Sequence, residues 1–169
     1  IMGGGHFADT STLAKQIHEK GIKPKVVALL VAPPEPKFAE LGDAAVGIIG
    51  ASQWEPAAKY APEAAKAKNL EWFGPTVDEF VKAYKAKFNE EPSYHSAGGF
   101  VAGLLLEKAI ATAGSIDTDK IKAALDAMNI MTFYGHIKFD NTPAAHGLQV
   151  GHDMIYIQWQ KDAKGTLVK

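Results

Sequence analysis

Arginine and cysteine are both missing from these 169 residues. Every basic charge is therefore a lysine, 18 of them against 19 acids, for a net charge of −1. Without guanidinium groups there is no planar fork for phosphate or guanine, so nucleic-acid binding is disfavoured. The lysines are scattered rather than gathered, which is the pattern of a solvated surface. Without cysteine there are no disulfides, thiolate metal sites or cysteine nucleophiles. That absence suits an exported protein and many cytosolic ones alike. No apolar run reads as a membrane span, and no charged-then-apolar leader is present. Also lacking are H-E-x-x-H, G-x-S-x-G, G-x-G-x-x-G and a P-loop ending.

What is present is ordinary in bulk: 47% hydrophobic and 22% charged residues, enough for one domain or two small lobes. The opening "IMGGGH" reads as the last residues of a strand followed by a glycine turn, which implies a chain truncated or processed upstream. "FADTSTLAKQIHEKG" then predicts a helix capped by Asp9 or Thr10, with Leu13 and Ile17 on one face and Gly21 closing it. "KVVALLVA" predicts a strand covered on both faces. "PPEP" breaks the chain, a short helical piece follows around residues 37–41, and "AAVGIIGAS" predicts another buried strand. There Gly47 and Gly50 permit close backbone approach. Strand, helix, strand, short helix, strand is a parallel α/β pattern.

Beyond Gln53 the alanine-rich "EPAAKYAPEAAKAKNLEWFGP" reads as a connector. "TVDEFVKAYKAKFNEEP" predicts an amphipathic helix through Val77, Phe80, Val81, Tyr84 and Phe88, stopped by Pro92. "SYHSAGGFVAGLLLEKAIATAGS" predicts a second helix, apolar nearly all round and therefore buried. Asp117 or Thr118 caps a third. "TFYGHIKFD" and "GHDMIYIQWQ" alternate as strands, the latter with Ile155, Ile157 and Trp159 on one face.

Candidate chemistry is sparse. Residues 3–6 can aim backbone N–H groups at an anion from a helix start, or their glycines can simply allow a tight turn. The six histidines show no metal-ligand spacing and read as surface or packing residues. "GAS" at residues 50–52 is closer to a strand end than to a nucleophile. Trp54 follows a buried strand, where parallel α/β folds bind ligands, so it is a pocket wall or a packing residue.

Taken in order, "GGGHFADT…AKQIHEKGIKPK", "LGDAAVGIIGASQWEP", "FVKAYKAKFNEEPSYHSAGGFVAGLLLEKAIATAGS", "TFYGHIKFD" and "YIQWQ" resemble one family over essentially the whole chain. It looks like the carboxy-terminal part of a type I periplasmic solute-binding protein, of the branched-chain amino acid and amide ABC-transporter group. The resemblance implies an α/β fold of two Rossmann-like lobes joined by three crossover strands, present here as an incomplete C-terminal part. On it, residues 1–53 belong to the second lobe and 54–75 form a connector or crossover. Residues 76–131 are helices of the first lobe, and 132–169 cross back and end in a strand of the second. The helices would then lack the sheet they pack on, so a missing N-terminal segment, or another copy, is expected as a partner.

The resemblance also implies a function. The chain would be the substrate-binding component of an ABC importer, periplasmic, not an enzyme and without cofactor or metal. It would capture an amino acid-like, amide or aromatic or aliphatic carboxylate ligand and deliver it to a membrane permease. A ligand-sensing domain on the same fold and a small α/β enzyme are the alternatives. Gly3, Gly4, Gly5 and His6 would lie on the cleft wall. At the position of Gly3 the family often has an aromatic residue covering the ligand, so glycine here leaves space. Relatives that bind branched-chain amino acids carry an acidic residue after the next strand, where this chain has Leu30, followed by Val31 and Ala32. No carboxylate follows until Glu35. An unpaired ammonium in a closed cleft costs several kcal/mol. The expected ligand is therefore a carboxylate or neutral molecule with an apolar or aromatic body, enclosed by Leu30, Val31 and Trp54, with His6 or His95 supplying a polar contact.

Overall fold

The computed structural model describes every residue except Lys59, which falls inside the alanine-rich stretch. In chain order the first elements are β1 (Met2–Gly3), α1 (Phe7–Glu19), β2 (Val27–Leu29), a 3-10 stretch (Pro36–Ala45) and β3 (Ile48–Ser52). Then come α2 (Pro62–Ala67), β4 (Glu71–Trp72), α3 (Val77–Phe88), α4 (Tyr94–Ala113) and α5 (Thr118–Asp126). The chain finishes with β5 (Asn129–Thr132), β6 (Gly135–Lys138), β7 (Ile155–Gln158), β8 (Gln160–Lys161) and β9 (Leu167–Val168). The chain divides into two compact units, Ile1–Glu55 with Met154–Lys169, and Pro56–Asp153.

The first unit is built on a four-stranded sheet in the order β1-β2-β3-β7. The first three strands are parallel, as the apolar runs and intervening helices predict, and β7 joins antiparallel to β3. α1 covers the sheet through Ala14 and Ile17, which pack with Val27, Leu29, Phe38, Ile48, Ile157 and Trp159. The alternation in β7 holds: Ile157 and Trp159 are buried while Tyr156 is exposed.

Three local expectations change. α1 starts at Phe7 with His6 as its N-cap, not at Asp9 or Thr10. The reason is that the Asp9 carboxylate reaches back and accepts the His6 backbone N–H at 2.9 Å, the third-position half of a capping box. β2 is only Val27–Leu29, because Val31 turns into the left-handed region (φ 69°) and Pro33 and Pro34 fold back over the sheet. Ala44 and Ala45 close the 3-10 stretch instead of opening β3, and Gly47 (φ 82°) makes the turn between them.

The second unit holds a three-stranded sheet, β4-β5-β6, with β4 parallel to β5 and β5-β6 a hairpin turning at Phe133 and Tyr134. The stretch read as a plain connector thus carries α2 and β4. α3 is capped by Thr76, which exchanges hydrogen bonds with Glu79. Phe80 on α3 stacks on the fully buried Phe133 at 4.5 Å between ring centroids and meets Phe100 on α4 at 5.2 Å. α4 begins at the Ser93 cap and ends at Gly114 in the left-handed region. It also packs on α5.

α4 corrects two expectations. It is 20 residues long and apolar enough to cross a membrane by length and composition alone, so one such run exists after all. It is also not buried all round: only Ala97, Val101 and Ala109 are fully covered, while Leu106 is 48% exposed. Ala97, Val101 and Ala109 face the unit, while Phe100 and Leu106 leave about half of their surface uncovered.

Candidate functional site

Parallel strands place all their carboxyl ends on one edge of a sheet, and in open α/β sheets that edge is where ligands are received. In the first unit the edge is made by residues 4–6 after β1, 30–35 after β2 and 53–55 after β3. Backbone bonds knit the first two: the Leu30 N–H donates to the Gly3 carbonyl at 3.0 Å. The Thr10 hydroxyl lies 3.1 Å from the carbonyls of both His6 and Leu30. Gly3, Gly4, Gly5, His6, Leu30 and Val31 are therefore neighbours along one edge.

The glycines have separate reasons. A Cβ at Gly3 would sit 2.9 Å from the side chains of Leu13 and Leu29, so the space freed there is filled by the unit's own packing. A Cβ at Gly5 would meet that of Asp9 at 2.9 Å. At Gly4 only Leu30 Cδ1 is near, at 3.8 Å. The amino end of α1 is already served by the Asp9 carboxylate, which opposes anion capture there. His6 is exposed and Leu30 half-exposed. Val31 holds a β-branched side chain at positive φ, a conformation costing on the order of 1–3 kcal/mol.

Trp54 is 1% exposed. Its backbone is fixed by Ser52, whose hydroxyl donates to the Trp54 carbonyl at 2.7 Å and accepts its N–H at 3.3 Å. That hydroxyl is fully buried and engaged, so Ser52 is not poised as a nucleophile. His95 lies in the other unit, exposed in the first turn of α4, with its ring 4.0 Å from that of Tyr94.

Sequence reasoning passed over two residues at this edge. Glu55 is 6% exposed, and its Oε2 pairs with the Lys169 ammonium at 2.8 Å. Among the described residues, its buried Oε1 has no hydrogen-bond partner. Lys169 also donates to the Pro34 carbonyl, and Trp159 Nε1 donates to the Pro33 carbonyl at 2.7 Å. The pair joins residues far apart in sequence, so no local spacing announces it.

The second unit has its own polar aromatic group. His152 lies 5.9 Å from Tyr60 and 5.8 Å, edge-on, from Tyr134 between ring centroids. His152 Nδ1 lies 2.9 Å from the His136 carbonyl. Burial, with the neighbouring Tyr94, pushes the Tyr134 phenol up to about 12. Burial and Asp153 raise Tyr60, and burial lowers His136. Each of these three shifts favours the neutral form of its group.

A parallel core sheet, its helix-covered face and an antiparallel edge strand returning from the far end of the chain define the class: an α/β protein with the type I periplasmic binding fold. A family model described as periplasmic binding protein matches residues 1–165, and the chain belongs to that family. Solved structures agree on the fold. One is a solute-binding protein of an ABC transporter from Rhodopseudomonas palustris in complex with 3,4-dihydroxybenzoic acid, with 22% identity and TM-score 0.68. The match covers 97% of this chain and 42% of that one. The leucine-, isoleucine-, valine-, threonine- and alanine-binding protein from Brucella ovis, in its closed conformation, gives 18% identity and TM-score 0.69, with 99% and 40% covered. A branched-chain amino acid transporter substrate-binding protein from Streptococcus pneumoniae, in complex with isoleucine, gives 22%, 0.65, 83% and 37%. The family is described as periplasmic binding proteins and the three neighbours are each named as binding proteins, and this chain spans less than half the length of each of the three.

Proposed function

We propose that this chain is part of the periplasmic substrate-binding component of an ABC importer, which captures a small organic molecule without transforming it and passes it to a membrane permease. The ligand is a carboxylate or neutral molecule with an apolar or aromatic body. One observation carries the choice: at the carboxyl edge the loop after β2 offers exposed Leu30 and the strained Val31, and the buried carboxylate at that edge, Glu55, already has its charge answered by Lys169. Neither Leu30 nor Val31 offers an ammonium group a carboxylate, and that of Glu55 pairs with Lys169. Within the first unit, Gly4, His6, Leu30 and Val31 contribute to the ligand wall, with the buried Trp54 packed in the segment after β3.

On this reading residues 1–53 and the end of 132–169 belong to one lobe, 54–75 link it to the other, and residues 76–131 supply helices to the other. An N-terminal segment of the same protein completes the second unit. Two facts support that: the short span relative to the solved neighbours, and the apolar face that α4 leaves uncovered. Isothermal titration of the full-length protein is the test, with 3,4-dihydroxybenzoate and isoleucine as probes. We expect the aromatic acid to bind at least tenfold more tightly, about 1.4 kcal/mol. Tighter binding of isoleucine overturns the ligand class, and binding of neither overturns the transport reading for these ligands.

A further inference from the structure

We infer that Lys169 is a positioning residue for the carboxyl edge of the first unit's sheet, tying the loop after β2 to the segment after β3. Three contacts meet at its ammonium: the Glu55 carboxylate at 2.8 Å, the Pro34 carbonyl, and the face of the Trp159 ring at 5.7 Å. Pro34 follows Leu30 and Val31 closely, and Glu55 directly follows Trp54. One cation therefore holds a backbone carbonyl just beyond Leu30 and Val31 and the side chain that directly follows Trp54.

The hairpin that delivers Lys169 is itself rooted. β8 and β9 pair through Gln160 with Val168 and Lys161 with Leu167. Asp162 closes the turn by accepting the N–H groups of Lys164 and Thr166. Lys161 pairs with Asp43 at 2.5 Å, fastening β8 to the 3-10 stretch. At the near end Trp159 holds the Pro33 carbonyl and rests against Phe38 at 6.2 Å. Trp159 and Lys169 thus hold two successive proline carbonyls from opposite ends of one hairpin.

The Lys169 side chain is 19% exposed and that of Glu55 8%, so the pair is shielded from water. Removing the ammonium strands a buried carboxylate, which is far costlier than losing a surface ion pair. Relief would come by moving Glu55 toward water, and that displaces Trp54 with it. The positioning role itself needs no ligand. Its consequence for binding rests on the function proposed above.

Amide hydrogen exchange on the full-length protein tests the clamp without a ligand. Lys169→Met is expected to speed exchange at the Ala32, Glu35 and Trp54 amides by about tenfold, while the β2 and β3 ladder amides keep their protection. Lys169→Arg, which preserves the ion pair, is expected to restore it. Should Lys169→Met fail to fold, Glu55→Gln combined with Lys169→Met removes the stranded charge and is expected to show the same loosening. Unchanged exchange at those three amides, or uniform acceleration through the unit, overturns the clamp. With 3,4-dihydroxybenzoate as probe, Lys169→Met is expected to weaken binding about tenfold and Lys169→Arg to recover it. Unchanged affinity limits Lys169 to stability and overturns its part in the site. Failure of the unsubstituted protein to bind the probe overturns the ligand reading, and the exchange result then decides the clamp by itself.

Discussion

A Cβ built on Gly50 would lie 2.6 Å from Cβ of Pro33 and 3.3 Å from Cδ of Pro34. Proline rings cannot swing aside as a leucine can, and these two are buried. Gly50→Ala is therefore expected to cost about 1–3 kcal/mol, as overpacking of a filled core does. Gly4→Ala, whose nearest neighbour is a leucine methyl at 3.8 Å, is expected to stay within about 0.5 kcal/mol. Urea unfolding of both variants checks the contrast, and equal losses would show that the prolines yield. Close approach at Gly50 is legible in "VGIIGAS". What cannot be read there is the partner, since nothing local says that "PPEP" folds back over the strand. Gly47 has the opposite outcome: no atom comes near its absent side chain, and it is needed for its positive φ.

At the scale of elements, legibility follows the range of the interactions that form them. α3 is written locally, in the spacing of Val77, Phe80, Val81, Tyr84 and Phe88 and in the Thr76–Glu79 box, and the structure returns it at Val77–Phe88. β4 has two residues and exists only because Glu71 and Trp72 find Ile130 and Met131. No period can announce so short a strand. The β5-β6 hairpin turns on Phe133 and Tyr134, inside what reads as a single run. Its turn carries a pH prediction. The Tyr134 phenol is raised from 10.0 to about 12 by burial, so the folded state favours its neutral form. Stability from this group is complete below 10.0 and is lost as pH rises toward about 12, because the unfolded chain ionises first. The difference in alkaline unfolding between the unsubstituted protein and Tyr134→Phe isolates it from the lysines. The substituted protein is expected to lose stability less steeply in that window, with phenolate absorbance as the readout. Parallel slopes would place the phenol in water.

For the molecule as a whole, the informative helix is α4, whose pattern and environment disagree. Apolar on nearly every side, it reads as buried, yet Leu106 is 48% exposed and Phe100 46%. A helix of that composition is stable in water only if something covers it, and exposed apolar patches of this kind mark contact surfaces. The function proposed above assigns the cover to an N-terminal segment of the same protein. Comparing one substitution in two chains decides the matter. In the 169 residues alone, Leu106→Gln is expected to change unfolding stability by no more than about 0.5 kcal/mol and to reduce self-association. In the full-length protein the same change would bury an amide against an apolar sheet, at a cost of about 2–4 kcal/mol. Paired denaturant titrations measure both, with sedimentation velocity reporting association. A small effect in both chains would mean that Leu106 stays in water throughout, and the uncovered face would then belong to a different partner. A large effect in the short chain would mean that a second copy already covers it. Only the split outcome assigns the face to the upstream segment, and with it the lobe that α3, α4 and α5 help to build.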